Sequence, residues 1–295
     1  MMRLAAAFSL AIAIGIIALT ATVGATGSVA VGVLAGVLAA GGSGVLLWRR
    51  PVVALDPAAA SRGLKVVSLL AAVLALVQLV RLAVFIVDPS RTEESTVPWS
   101  RWEVLHSCVT AYYVAGKAVP DVPNVYDNAL YSMPGEPSAP RKPRLLDGFR
   151  VDVYEYPPPF LLLPRALFLV APDFLRFRMI WFALNAAVVL AVMLAVARRF
   201  GPAAGTRALL LSSLVWASLP LVNAFQKENV QMMIVALSVL AMLLFEKRRW
   251  AWAASSSHSR SRASSIRECS SSTSSSGGGG ARSPGPRCSA RRSSS

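Results

Sequence analysis

The stretch "VVSLLAAVLALVQLVRLAVFIV", residues 66–87, decides the fold class. Its side chains are apolar apart from Ser68, Gln78 and Arg81. A helix of this length, rising 1.5 Å per residue, crosses the roughly 30 Å hydrocarbon core of a bilayer. Apolar residues make up 55% of the chain and recur in blocks of similar length. The sequence therefore predicts an all-α integral membrane protein.

Six apolar blocks are predicted to span the membrane as a polytopic helical bundle. They are Leu4–Gly24, Ser28–Trp48, Val66–Val87, Met179–Ala197, Ala208–Phe225 and Val230–Phe245. The first two form an N-terminal pair, residues 1–48. The first block could instead be a signal peptide, because the small residues of "TATVGATG" would suit cleavage. A second span follows almost at once, which favours a retained anchor.

Positive charge predicts the orientation of the bundle. The loop at residues 49–65 carries four basic residues and one acidic residue, namely Arg49, Arg50, Arg62 and Lys65 against Asp56. Because cytoplasmic loops collect Lys and Arg, this loop and the N-terminus are predicted to be cytoplasmic in a multi-pass protein of the cell membrane. The long loop at residues 88–156 is then extracytoplasmic.

Residues 160–171, "FLLLPRALFLVA", are apolar but are not predicted to be a span. A span here would place the basic clusters at 198–207 and 247–249 outside the cell, against the positive-inside rule. The stretch is also short, and a proline and an arginine interrupt it. We predict an interfacial helix that lies flat on the outer side, or dips in and returns, with Pro157–Pro159 as its extended entry.

Candidate acid–base residues lie in the outer loop. The segment "WSRWEVLHSCVTAYYVAGKAV", residues 99–119, has a helical pattern of apolar residues. Glu103 and His106 stand three residues apart, so a helix would make them neighbours. A carboxylate beside an imidazole could transfer protons. The alternative is a solvated ion pair on the surface.

Aromatic and acidic residues follow in two further segments. Tyr126 and Asp127 are of the types that contact carbohydrate, with a flat ring for a sugar face and a carboxylate for hydroxyls. "VDVYEY", residues 151–156, alternates, so its Asp152, Tyr154 and Tyr156 share one face if the chain is extended. The alternative is a strip that only anchors tyrosines at the level of the lipid headgroups.

Polar residues also occur at and inside the ends of the spans. "NAFQKENVQ", residues 223–231, joins the last two predicted spans on the outer side. A polar turn with helix caps accounts for Lys227 and Glu228, whereas Gln231 falls inside the helical pattern and is a candidate site residue. Arg81 in the third span could reach lipid headgroups or contact a lipid phosphate within the bundle.

Three segments, in order, resemble glycosyltransferase family 87, a bacterial group of the GT-C superfamily that includes polyprenol-phosphate-mannose-dependent mannosyltransferases. They are "AYYVAGKA…NVYD" (Ala111–Asp127), "VYEYPPPFLLLPRAL" (Val153–Leu167) and "FQKENVQMMIVALSVLAMLL" (Phe225–Leu244). In the third segment Glu228 stands where the family has glycine, and Asn229 and Gln231 have exchanged amides. The resemblance covers residues 66–250.

The resemblance implies a GT-C-like enzyme that transfers a mannose-like hexose from a polyprenyl-phosphate donor to an extracytoplasmic lipid or glycan acceptor, without a nucleotide sugar, cofactor or metal. Cys108 stands where the family usually has aspartate, so the role of general base falls to Glu103 or Asp127. The residues that we assign to acid–base chemistry are Glu103, His106 and Asp127. Those that we assign to substrate binding are Arg81, Tyr126, Arg150, Asp152, Tyr154, Glu155, Tyr156, Asn229 and Gln231.

The remaining sequence is a low-complexity tail of Ser, Arg and Gly at residues 254–295. It is either a disordered basic tail or the product of a shifted reading frame, which we favour because a leucine codon read one base late gives serine. The shifted frame would leave the enzyme truncated.

Part of the net charge of +15 lies in this tail and the rest fits cytoplasmic loops, so no nucleic-acid partner is expected. The three cysteines have no metal-ligand spacing. The alternative function is a non-catalytic membrane protein that binds lipid-linked glycan or serves as an assembly subunit.

Overall fold

Helices make up most of the chain. A computed structural model describes residues 2–49, 53–133 and 142–246. The helices in these ranges are α1 (Met2–Thr26), α2 (Val29–Arg49), α3 (Arg62–Val87), α4 (Arg101–Val104), α5 (Val109–Ala118), α6 (Leu162–Leu167), α7 (Phe174–Arg199), α8 (Gly201–Trp216), α9 (Leu219–Gln226) and α10 (Gln231–Glu246). The fold and site described below belong to one compact unit, Met1–Leu243. The predicted tail, residues 254–295, lies outside the described residues.

Four of the described helices are long and apolar enough to cross a membrane, which is consistent with the predicted helical membrane class. They are α1, α2, α3 and α7, each with an apolar stretch of 19–26 residues. The predicted fifth span is not continuous, because α8 and α9 meet at a bend of 60°. Pro220 lies in the first turn of α9, where its ring blocks an uninterrupted helix. The bent pair can count as a fifth span, and α10 is shorter than the others.

Glycines let α1 and α2 pack closely around the turn at Gly27, whose φ is +73°. A Cβ on Gly36 would lie 2.9 Å from the carbonyl oxygen of Gly15, and one on Gly15 would lie 2.8 Å from the Cβ of Ala40. Small residues at such positions bring two backbones together, which is a common way for helices to associate in lipid.

Replacing Gly36 with leucine should therefore separate α1 from α2. We expect Gly36→Leu to lower the free energy of unfolding by about 1–3 kcal/mol, as overpacking does in other tight interfaces. Thermal unfolding in detergent would measure the loss. Gly41→Leu is the matched control, because a Cβ there would meet nothing within 4 Å. Equal stability of the two variants would contradict the packing argument.

The contacts between helix ends define two ends of the bundle. At the first, which we call the loop end, Arg176 at the start of α7 donates from Nε to the carbonyl of Gly24 over 2.8 Å. At the opposite end, Arg207 donates from Nε to the carbonyl of Ala59 over 2.7 Å. Residues 53–65 and the start of α8 thus share one end, in agreement with the charge argument. The face of the membrane that this end meets stays a prediction.

The loop end is built from short elements rather than from one long helix. Strands β1 (Leu145–Leu146) and β2 (Phe149–Arg150) form a hairpin whose turn, Asp147-Gly148, has φ of +48° and +87°. Such positive φ values are typical of the tight turns that join two antiparallel strands. Residues 160–171 contain only a 3-10 turn and the six-residue α6, so no long helix forms there.

Arg81 fastens the start of the loop to α3. Its guanidinium lies 3.3 Å from the Glu94 carboxylate and donates to the carbonyls of Glu93 and Ser95 over 3.0 Å each. It also donates to Gln78 over 3.3 Å. Arg81 therefore forms hydrogen bonds to residues 93–95 of the loop, and its predicted contact with lipid stays a prediction.

We expect Arg81→Met to loosen this part of the loop. Hydrogen bonds from a charged group contribute about 1.5–3 kcal/mol each, so amide hydrogen exchange at residues 92–96 should accelerate by roughly tenfold or more. Mass spectrometry of the exchanged protein would measure the change. Arg91→Met is the control, because Arg91 forms an exposed pair with Asp88 at 3.5 Å, and such pairs contribute little. Unchanged exchange in Arg81→Met would refute the role.

Candidate functional site

Three chain segments meet at the loop end and form a polar site, which consists of Glu103, His106, Cys108, Asp152 and Lys227. Backbone hydrogen bonds hold the segments in place. The amide of Arg150 donates to the carbonyl of Leu105 over 2.9 Å, and the amide of Cys108 donates to the carbonyl of Lys227 over 2.8 Å. The site therefore joins the outer loop to the turn between α9 and α10.

The predicted helix at residues 99–119 is wrong, and this changes how Glu103 and His106 are related. Helix α4 ends at Val104 and α5 begins at Val109, so His106 lies between two helices. It forms a bridge with Arg150 instead of a helical turn with Glu103. Its carboxylate partner is Asp152 from the strip at residues 151–156, with Nδ1 and Oδ1 separated by 3.5 Å.

Glu103 has a different partner. Its Oε2 lies 2.8 Å from Nζ of Lys227, and both side chains are largely buried. The Lys227 ammonium also lies 5.2 Å from the centre of the Trp102 ring, and that ring stacks on His106 with 4.4 Å between centroids. The indole thus covers the imidazole on one face, while about half of Trp102 remains exposed.

The electrostatic environment favours the neutral form of the His106 imidazole. Burial lowers the pKa of His106, and the nearby Lys227 and Arg150 lower it further, against the opposing effect of Asp152 and Glu103. Burial raises the pKa of Asp152, which the His106 charge opposes. The imidazole is consequently neutral at pH 7, as a general base must be.

Cys108 completes the cluster around His106. Its Sγ lies 3.6 Å from Nε2 of His106, and the Asp152 carboxylate is a neighbour of both side chains. Burial raises the pKa of the Cys108 thiol to about 12, and the negative charges of Asp152 and Glu228 raise it in the same direction. The thiol is therefore protonated at rest.

A buried ion pair lies beneath the polar site. Arg178 of α7 and Glu228 are both fully buried, and Nε and Oε1 lie 2.5 Å apart. Ser107 donates its hydroxyl to the same carboxylate, and Trp181 donates from Nε1 to the Glu228 carbonyl over 2.9 Å. Burial raises the pKa of Glu228 to about 7, against the lowering effect of Arg178 and Ser107.

A polar turn with helix caps therefore does not account for Glu228, because its side chain is buried in an ion pair. Its φ of +53° turns the chain so that the side chain points inward to Arg178. The signal that could have revealed the pair is Arg178 itself, an arginine directly before the apolar block Met179–Ala197 that needs a buried partner.

Tyrosines form a wall beside the polar site. Tyr126 stacks on Tyr154 with 5.8 Å between ring centroids and donates its hydroxyl to the carbonyl of Tyr156 over 2.9 Å. Asp152, Tyr154 and Tyr156 are each less exposed than Val153 and Glu155, so burial follows the predicted alternation. Tyr154 is buried, which leaves Tyr126 as the more exposed ring of the wall.

Other predicted site residues have structural partners. Asp127 accepts from the Ala129 amide over 2.9 Å and begins a 3-10 turn. Asn229 accepts from the Gln231 amide over 2.8 Å at the start of α10, where Gln231 is exposed. Arg150 contributes its backbone to the site. The structure thus brings together Glu103, His106 and Asp152, and adds Cys108 and Lys227, which we had not assigned.

Comparisons with models of protein families, with curated proteins and with solved structures find no match.

Proposed function

We propose that this protein transfers a sugar from a polyprenyl-phosphate donor to an acceptor hydroxyl at the polar site. The observation that carries the proposal is the His106–Asp152 pair, at 3.5 Å and largely shielded from solvent. It lies at the loop end of a helical bundle. An isoprenoid chain in the bilayer would hold its phosphate at the depth of that end.

In the proposed reaction, Asp152 accepts a hydrogen bond from the Nδ1–H of His106, which leaves Nε2 unprotonated. The acceptor hydroxyl would take the place of the Cys108 thiol beside Nε2, which then acts as the base. Nε2 takes the proton of the acceptor hydroxyl as its oxygen bonds to the anomeric carbon of the sugar. The bond from that carbon to the phosphate oxygen breaks, and polyprenyl phosphate leaves as an anion. Lys227 and Arg150, which both act electrostatically on His106, can offset the charge that develops on the phosphate.

Trp102 is suited to hold the sugar during this step. His106 stacks on its ring and the Lys227 ammonium lies 5.2 Å from the ring centre, yet nearly half of the residue is exposed. An exposed aromatic face can stack on the apolar face of a hexose. The exposed ring would place the sugar next to the base.

A transfer assay with the full chain in lipid vesicles tests the proposal. Radiolabelled polyprenyl-phosphate mannose is offered first, then the other hexoses, with mixed envelope lipids and glycans as acceptors. We expect label to move to an acceptor with the wild-type protein and not with empty vesicles. Asp121→Asn is the control variant, since Asp121 is exposed and has no assigned role in the site, and it should transfer normally. Absence of transfer from every donor would refute the proposal.

The second candidate is a protein that binds lipid-linked glycan without transferring it. Cys108 stands at the position of the family's usual aspartate, and the Asp127 carboxylate accepts a backbone amide, which favours this candidate. It predicts that the vesicles retain the labelled donor but form no product. The same assay separates the two functions.

A further inference from the structure

Three different metal-binding side chains converge in the polar site. One ligand atom each from His106, Cys108 and Asp152 lies within 4.8 Å of the others. Tetrahedral zinc, with Zn–S near 2.3 Å and Zn–N near 2.0–2.1 Å, separates sulfur and nitrogen ligands by about 3.5 Å. The Sγ–Nε2 distance of 3.6 Å already matches that value.

We propose that His106, Cys108 and Asp152 bind Zn²⁺, with the fourth position open to water or another ligand. A thiolate and a carboxylate together balance the charge of the ion, and the imidazole adds none. Thiolate and imidazole ligands favour Zn²⁺ over Mg²⁺ and Ca²⁺, which prefer oxygen ligands. Lys227, the cation that approaches the site most directly, is paired with Glu103 at 2.8 Å.

The backbone holds the three ligands in position. Thr110 is fully buried and its hydroxyl donates to the carbonyl of Ser107 over 2.7 Å. The same oxygen accepts from the Asp152 amide over 3.0 Å. Thr110 thus ties the segment that carries His106 and Cys108 to the segment that carries Asp152. Closing the site around an ion requires side-chain rotation rather than a movement of either segment.

Metal binding would also control the site. In this part the inference rests on the proposed function. A bound ion occupies His106 and Asp152, so neither can take part in proton transfer. Zn²⁺ is then an inhibitor of sugar transfer, and removal of the ion with a chelator restores activity.

Cobalt substitution tests the site without any activity measurement. The purified full chain is stripped with a chelator and titrated with Co²⁺, whose bond to a thiolate gives a charge-transfer absorption band. Cys269 and Cys288 lie outside the described residues, so the titration uses the Cys269→Ser/Cys288→Ser variant as its background. We expect the band at about one Co²⁺ per chain and its displacement by Zn²⁺.

Variants of the ligands decide the outcome. Cys108→Ser should abolish the band, and His106→Gln should weaken Co²⁺ binding by roughly tenfold or more. Asp121→Asn, a change at an exposed position outside the polar site, should bind Co²⁺ like the background. A band that persists in Cys108→Ser, or no binding by the background protein, would overturn the inference. If Cys108→Ser does not fold, the His106→Gln titration decides between the same outcomes.

The results also separate the metal site from the proposed function. Sugar transfer without Co²⁺ binding overturns the metal site and leaves the function standing. Co²⁺ binding by a chain that transfers no sugar in its metal-free form overturns the function and leaves the site standing.

Discussion

Glu228→Gln is expected to lower the free energy of unfolding by about 3–5 kcal/mol, the cost of leaving one member of a buried ion pair without its partner. Arg178 and Glu228 are both fully buried, so water cannot replace the lost carboxylate. Two guanidinium nitrogens of Arg178, Nε and Nη2, have no hydrogen-bond partner among the described residues, and only Nε has the ion-pair contact with Glu228. At this chain length the loss corresponds to a decrease of roughly 6–20 °C in the unfolding midpoint.

Thermal unfolding in detergent would measure this effect. Glu155→Gln is the matched control, since the same change at an exposed position should stay within about 0.5 kcal/mol. The double variant Arg178→Met/Glu228→Gln removes both charges and should recover part of the loss. If Glu228→Gln unfolds with the wild-type midpoint, the pair does not stabilise the fold.

The second large effect is on catalysis and rests on the proposed function. Asp152→Asn should lower kcat for sugar transfer by about 10²–10⁴-fold, because His106 loses the acceptor that orients its ring. The binding of donor, measured by retention on vesicles, should change little. Asp127→Asn is the comparison, and it should affect stability more than kcat because Asp127 begins a 3-10 turn.

The pH dependence distinguishes a base from a residue that only maintains the fold. His106 acts when neutral, so the rate should fall as pH falls through its pKa, which burial places below the ordinary value of about 6.5. The Asp152 charge raises the pKa of His106. Its removal in Asp152→Asn should therefore shift the acid limb of the residual rate to lower pH. An acid limb that stays in place in that variant would contradict the pairing.

Apolar block length predicted the class of fold because it reflects bilayer thickness directly. The exclusion of residues 160–171 as a span followed from charge and length, and a six-residue α6 lies there. Helix interruptions were harder to predict. Pro220 lies inside the apolar block Ala208–Phe225, in the first turn of α9, so the helix is interrupted without any break in hydrophobicity. The pattern at residues 99–119 continues across the gap between α4 and α5.

The sequence predicted several residues of the site, but not which of them contact one another. Glu103, His106 and Asp152 were recognised by type, but the partner of each depends on contacts between distant segments. Sequence spacing predicted that Glu103 contacts His106. In the structure Glu103 forms an ion pair with Lys227, and His106 contacts Asp152. Glu228 was misplaced for a related reason. Its burial depends on Arg178, fifty positions earlier in the chain, and no local pattern records that contact.

The bend between α8 and α9 has a consequence for how this protein can evolve. Helix α8 is held at the opposite end of the bundle, where the Thr206 hydroxyl accepts a hydrogen bond from the Asp56 amide over 2.8 Å. Residues 226–228, which follow the bend, serve the polar site. Because the helix is interrupted between them, a rotation or displacement of α8 need not be carried rigidly into α9. Substitutions around Thr206 at the opposite end should therefore disturb the geometry of the polar site less than substitutions in α9, so the two ends can change in sequence largely independently.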